Sequence, residues 1–409
     1  MRPTSILITA TGRDRPGVTA SFFVSLAEHD ADIVDVEQVV VRERLILAVL
    51  VDLRGDPSAL RRSVARTANA LGMECDVVVV ETEETRPERR TRSGRSHVIV
   101  LGHPLRPGSI SDVAHRIGDE GGTIESITQL SRLPASSLEL LVSSADPAAL
   151  RSALVLAAEE TGLDIAVEAA GLRRRAKRLV VLDFDSTLIQ DEGIDALAAA
   201  AGRSREVEAI THRAMDGELE YADSLRQRVA LLAGLPYPRV EQVRDALRLT
   251  PGADRSVRTL RRLGYHVGVV SGGFTVFTDR FVAELGLEFA AANELDIVDG
   301  RLTGHVLEPV LDREGKADAL REFAERFGVP MSQTVAVGDG ANDIDMLELA
   351  GLGIAFNAKA ALRATADASV TQPFLDSVLF ILGISGDEID EVAALDRSRY
   401  AGLRELGVP

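Results

Sequence analysis

The sequence predicts an α/β protein: two small β-α-β-β-α-β units, then a domain built on a doubly wound parallel sheet with a small helical cap. Three observations carry this reading. Arg15-Pro16-Gly17 recurs as Arg106-Pro107-Gly108, 91 residues on, and Ile33 matches Ile124 and Gln38 matches Gln129 at the same offset. Each copy alternates β-rich runs and helix-forming stretches in the same order. Beyond residue 179, short apolar runs such as Leu179–Phe184 and Thr334–Val337 lead into Asp- and Gly-rich segments, as strands buried on both faces of a parallel sheet do.

Composition narrows the function classes. The chain has 409 residues, with 46 basic and 63 acidic side chains, a formal charge of −17. That length suggests two or three domains. The acidic balance argues against a partner that is nucleic acid or an anionic membrane surface. Cys75 is the single cysteine, which excludes an internal disulfide and a cysteine zinc cage. The N-terminus lacks the apolar stretch of a signal peptide, and no apolar run approaches the ~18 residues of a membrane span. A cytoplasmic protein is expected. Lysine is scarce: Lys177, Lys316 and Lys359 stand against 43 arginines.

Two basic stretches, 85–95 and 172–178, lack apolar periodicity and read as linkers. They divide the chain into 1–84, 96–171 and 179–409. In the first piece, strands are expected at Ser5–Ala10, Ile33–Val41, Leu45–Asp52 and Glu74–Glu81, with helices from Pro16 to His29 and over Pro57–Leu71. The second predicts strands at His97–Gly102, Thr123–Leu130, Leu138–Ser143 and Asp164–Ala169, with helices over Pro107–Asp119 and Pro147–Glu160. Each is a ferredoxin-like unit.

This order, with the Gly12-x-Asp14-x-Pro16-Gly17 turn, resembles the ACT domain, an amino-acid-sensing module. The resemblance implies that an effector carboxylate meets backbone N–H groups near Asp14 and Gly17, or near Gly108. The alternative is that these glycines only make a turn. The second copy departs from the pattern, because His103 and Leu105 stand at the positions aligned with Gly12 and Asp14.

In the third piece, Leu179–Phe184 leads into Asp183-Phe184-Asp185-Ser186-Thr187-Leu188. Carboxylates at i and i+2, at the carboxyl end of a buried strand, repel one another and call for a cation such as Mg²⁺. Gly268–Gly273 ends in Ser271-Gly272-Gly273, Lys316 follows Gly315 at a helix start, and Thr334–Val337 leads into Gly338-Asp339-Gly340-Ala341-Asn342-Asp343. A single Gly-Asp-Gly is more often a turn than a site; four such segments in this order are not explained that way.

The set resembles the four motifs of the haloacid dehalogenase superfamily, which implies a Rossmann-like core. It also implies Asp183 as nucleophile and Asp185 as acid and base. Asp183, Asp339 and the Asp185 carbonyl would hold Mg²⁺, with Asp343 behind them. Ser271, Gly272, Gly273, Lys316 and Asn342 would bind the phosphoryl group. Aspartate at 185, where ion-pumping relatives carry threonine, favours hydrolysis.

Helical patterns at Ile194–Ala201 and Ala222–Leu232 suggest a cap over about 190–250. Glu192, nine residues after Asp183, and the segment Tyr221–Arg228 resemble phosphoserine phosphatases, and with two ACT copies the chain resembles their actinobacterial form. That implies O-phospho-L-serine as substrate, Glu192 on its ammonium, Arg228 on its carboxylate and Tyr221 at a lid position usually held by phenylalanine. It also implies a homodimer through the ACT domains and serine or another amino acid as effector. Alternatives are another small-phosphomonoester phosphatase or phosphotransferase, or an amino-acid sensor with a vestigial phosphatase domain.

Overall fold

The computed structural model describes residues 3–80, 94–133, 135–143, 145–171, 174, 176–215 and 218–394. Most of the stretch 85–95, part of 172–178 and the tail beyond 394 lie outside the described residues. The chain forms two compact units, residues 1–93 and 94–409. Among the described residues no helix is long and apolar enough to cross a membrane.

The first unit runs β1 (Thr4–Arg13), α1 (Val18–Ala27), β2 (Ala31–Val41), β3 (Arg44–Leu53), α2 (Pro57–Leu71) and β4 (Glu74–Val80). Its antiparallel sheet has the order β2-β3-β1-β4. Ile6, Ile8, Phe22, Val49, Leu60 and Val64 form its core. The bounds of α2 are chemically marked: the Asp56 side chain accepts from Ser58 N–H, Pro57 opens the first turn, and Gly72 closes the helix at φ 66°. Helix α1 starts later than the proline at 16 suggests. Gly17 adopts φ 90°, a left-handed conformation, so helical geometry begins only at Val18.

The second unit opens with the repeat: β5 (Ser96–Gly102), α3 (Pro107–Asp119), β6 (Thr123–Ser131), β7 (Ser136–Ser143), α4 (Pro147–Thr161) and β8 (Asp164–Ala169). Gly102, rather than His103, takes the structural place of Gly12. A Cβ at Gly12 would strike Met73, and one at Gly102 would strike Leu163, in each case the residue after the glycine that closes the second helix. The second copy therefore carries one more residue between this glycine and its Arg-Pro-Gly turn.

The remainder is a parallel-sheet domain. Its strands are β9 (Leu179–Asp183), β10 (His266–Phe274), β11 (Phe289–Asn293), β14 (Thr334–Gly338), β15 (Gly353–Phe356) and β16 (Ala368–Val370). A hairpin, β12 (Leu295–Val298) with β13 (Arg301–Val306), turns at Asp299-Gly300, both at positive φ. Helices α5 (Gly193–Ala201), α6 (Ser204–Met215), α7 (Tyr221–Ala230) and α8 (Tyr237–Ala246) follow β9 and form the cap; α9 (Ala253–Arg262) leads to β10. Then come α10 (Thr275–Leu285), α11 (Arg313–Arg326), α12 (Ile344–Leu349), α13 (Ala360–Thr365) and α14 (Ser377–Ile381).

One ten-stranded sheet runs through the unit, in the order β11-β10-β9-β14-β15-β16-β8-β5-β7-β6. The pairs from β11 to β16 are parallel, and β16 meets β8 antiparallel through Ala368 and Ala166. Side chains reinforce the junction. Asp164 accepts from Thr371 N–H at 2.9 Å, and Arg151 donates to Asp367 at 2.6 Å. Ile99, Leu101, Leu130 and Ala166 share one core with Leu375, Phe380, Ile384 and Ile389. The second repeat thus buries one sheet face under its own helices and the other against the parallel-sheet domain.

Candidate active site

Strands β9, β10 and β14 are neighbours, so their carboxyl ends deliver three of the four motifs to one place. The fourth arrives on α11, where the Asp312 side chain accepts from Gly315 N–H and fixes the first turn that carries Lys316. Lys316 is 1% exposed, and its ammonium donates to Asp183 Oδ1 and Asp343 Oδ1, each at 2.7 Å. Burial opposes the charge on Lys316, but the two carboxylates outweigh it and hold its pKa above the ordinary lysine value.

Asp183 is 3% exposed, and its Oδ1 also accepts from Phe184 N–H at 2.8 Å. Burial and the nearby Asp343 and Asp339 push its carboxyl well up, against the pull of Lys316. Asp339 is pushed up to about 7 by burial, then by Asp343 and Glu192. Asp343 is more fully tied: its Oδ2 accepts from the N–H groups of Asp339 and Gly340, both at 3.1 Å. One oxygen from each of Asp183, Asp339 and Asp343 lies within 4.8 Å of the others. Three hard oxygen donors with unbalanced negative charge, two of them with raised pKa, suit a divalent cation of the Mg²⁺ type.

Asp185 sits two residues on, in a distorted turn over Phe184–Leu188 where Ser186 takes φ 56°. Its Oδ1 accepts from Gly193 N–H at 2.7 Å and its Oδ2 from Ser271 Oγ–H at 3.2 Å. Burial raises its pKa, which favours a carboxyl that can hold a proton. Ser271 Oγ accepts from Gly273 N–H at 2.9 Å and so shapes the loop after β10.

Above this floor, a cavity of about 460 Å³ is lined by Asp183, Asp185, Glu192, Tyr221, Arg228, Gly272, Gly273, Asp339 and Asn342. The sequence-predicted residues of all four motifs and of the cap therefore converge, with Lys316 and Ser271 directly beneath. Glu192 is reached by solvent through the cavity yet surrounded by protein, and burial followed by repulsion from Asp185 raises its pKa. Ser186 Oγ–H donates to it at 2.7 Å, and Arg228 opposes the rise.

Sequence reasoning missed part of the lining. Thr211, Ala214 and Leu219 come from the cap, and Lys359 from the start of α13. The Lys359 N–H donates to the Asp339 carbonyl at 3.4 Å, and its charge tends to lower the Asp339 pKa. Lysine scarcity was the available signal for Lys359. Lys177 has a different place: it is 3% exposed and donates to the Ser332 and Gly351 carbonyls. The expected effector positions lie in the first unit and in the second repeat. Asp14 donates its N–H to the Glu43 carbonyl at 2.7 Å, Gly17 caps α1, and Gly108 is exposed in the first turn of α3.

Comparison with known proteins agrees with this geometry. Residues 180–348 match the haloacid dehalogenase-like hydrolase family, and residues 4–78 and 95–168 each match the ACT domain. A phosphoserine phosphatase of Streptomyces coelicolor is 51% identical over 393 residues, covering 96% of this chain and 95% of that protein. One from Mycobacterium tuberculosis is 50% identical over 410 residues, covering 99% and 98%. Among solved structures, a probable phosphoserine phosphatase from Vibrio cholerae is 35% identical with a TM-score of 0.57, covering 72% of this chain and 88% of that one. By these similarities the chain belongs to the phosphoserine phosphatase family, with two ACT domains ahead of a haloacid dehalogenase-like domain.

Proposed function

We propose that this chain hydrolyses O-phospho-L-serine to L-serine and phosphate, the last step of serine synthesis, as a Mg²⁺-dependent cytoplasmic enzyme. One observation carries the substrate reading. The cavity holds a carboxylate, Glu192, and a guanidinium, Arg228, beside the nucleophile cluster, matching the ammonium and carboxylate that distinguish phosphoserine from plain phosphomonoesters.

The chain's own groups supply the steps. Asp183 Oδ1 is held by Lys316 and the Phe184 N–H, so Oδ2 attacks phosphorus. As the Asp183–phosphorus bond forms, the bond from phosphorus to the serine oxygen breaks, and protonated Asp185 gives that oxygen its proton. Asp185, now a carboxylate, takes a proton from water. The water oxygen bonds to phosphorus, the Asp183–phosphorus bond breaks and phosphate leaves. Ser271, Lys316, Asn342 and the Gly272-Gly273 backbone orient the phosphoryl oxygens. When bound, Mg²⁺ would be held by Asp183, Asp339 and the Asp185 carbonyl, with Asp343 behind them, and would offset charge on the phosphoryl group.

The pieces 1–84 and 96–171 are proposed as sensors for serine or another amino acid, and 179–409 as the phosphatase. Val39, Val40 and Val41 are exposed on β2, an edge strand of the first unit, which supports pairing with a second copy in a homodimer. Phosphate release from phosphoserine, phosphothreonine, phosphoethanolamine and sugar phosphates, with and without Mg²⁺ and free serine, tests the reading. Phosphoserine as the preferred substrate is expected; equal turnover of sugar phosphates would overturn the assignment.

A further inference from the structure

The carbonyl of Gly272 accepts two side-chain hydrogen bonds. Tyr221, the first residue of cap helix α7, donates its hydroxyl at 3.0 Å. Asn293, at the end of β11 and 2% exposed, donates its Nδ2 at 2.9 Å. Asn293 is itself fixed, since its Oδ1 accepts from Leu311 N–H at 2.7 Å. A Cβ at Gly272 would strike the Tyr221 hydroxyl, so the fit needs glycine there. The Gly272 carbonyl is thus tied to the sheet domain through Asn293, and its other partner, Tyr221, belongs to the cap that roofs the cavity.

We propose that the Tyr221 hydroxyl is a latch, which holds the cap on the phosphate-binding loop through the Gly272 carbonyl and sets the rate at which phosphomonoester enters and phosphate leaves. Tyr221 acts here as a positioning residue through Gly272. Burial pushes the Tyr221 phenol up to about 12, so it remains a donor throughout the neutral range. Because the contact joins two groups of the protein and none of the substrate, it would hold the cap before and after the reaction alike. Its loss should therefore change both passage rates more than their ratio. A neutral hydrogen bond of this kind shifts an open–closed equilibrium by about three- to tenfold.

The inference rests on the phosphatase reading of the site, and the test separates the two. Tyr221→Phe removes only the hydroxyl. Onset and release of inhibition by orthovanadate, a phosphate mimic, would be followed in progress curves of p-nitrophenyl phosphate hydrolysis by the full chain. Both rates are expected to rise about three- to tenfold in the variant with less than a twofold change in their ratio. Amide hydrogen exchange should quicken in peptides covering 218–230 and stay unchanged in β9 and β14. Unchanged vanadate rates, or faster exchange spread over the whole domain, would overturn the latch. Failure to hydrolyse phosphoserine, with the vanadate effect intact, would instead count against the substrate assignment.

Discussion

The Lys316 ammonium lies 2.7 Å from the Asp183 carboxylate, with both groups almost wholly buried. Removing the ammonium leaves Asp183 and Asp343 facing one another unpaired. Lys316→Met should abolish measurable turnover and lower the stability of the metal-free protein by about 3–5 kcal/mol. Lys316→Arg should not restore activity, because a planar guanidinium is longer and broader than the pocket between two carboxylates. Steady-state kinetics with a thermal melt checks both.

Asp339, raised to about 7, sets a pH dependence for the metal-free protein. A carboxyl whose folded pKa exceeds its unfolded value binds more protons when folded, so stability falls as pH rises from about 4 to about 7. The metal-free melting temperature should therefore fall between pH 5 and pH 7.5. Mg²⁺ should raise it more at pH 7.5 than at pH 5, because its ligands must be deprotonated. Calorimetry with and without EDTA reads the effect; a Mg²⁺ response independent of pH would contradict it.

Arg228→Ala should lower kcat/KM for phosphoserine by about 10- to 100-fold, the worth of a lost charge-assisted hydrogen bond. Phosphoethanolamine, which lacks the carboxylate, should lose much less. An equal loss for both substrates would assign Arg228 to the phosphoryl group or to cap packing.

Leu101 of the second repeat packs in the same core as Phe380 and Ile384 of the phosphatase domain. Leu101→Ala should destabilise that domain by about 2–5 kcal/mol. Protection of β14 and β15 amides against hydrogen exchange should fall with it. A mutation felt only in the second repeat would mean the shared core does not couple them.

Much of the architecture was legible because the chain marks it locally. Pro57–Leu71 and Pro107–Asp119 each open at a proline, and Asp56 and Gly72 cap the first of them at its two ends. The four phosphatase motifs were legible because each follows a strand or opens a helix. What escaped depends on partners far apart in sequence. The pairing of β16 with β8 joins residues about 200 apart and leaves no periodicity to read. Lys177 became intelligible only through the Ser332 and Gly351 carbonyls, and Lys359 only through the loop that brings it beside Asp339. Gly17 shows the opposite failure, where a local left-handed residue overrode the proline before it.

The most direct test of the central claim is phosphate release from O-phospho-L-serine with Mg²⁺ by the wild-type chain and by Asp183→Asn, with circular dichroism on both. Rapid release by the wild type is expected, and none above background by a variant that remains folded. Release by folded Asp183→Asn at a rate near that of the wild type would contradict it.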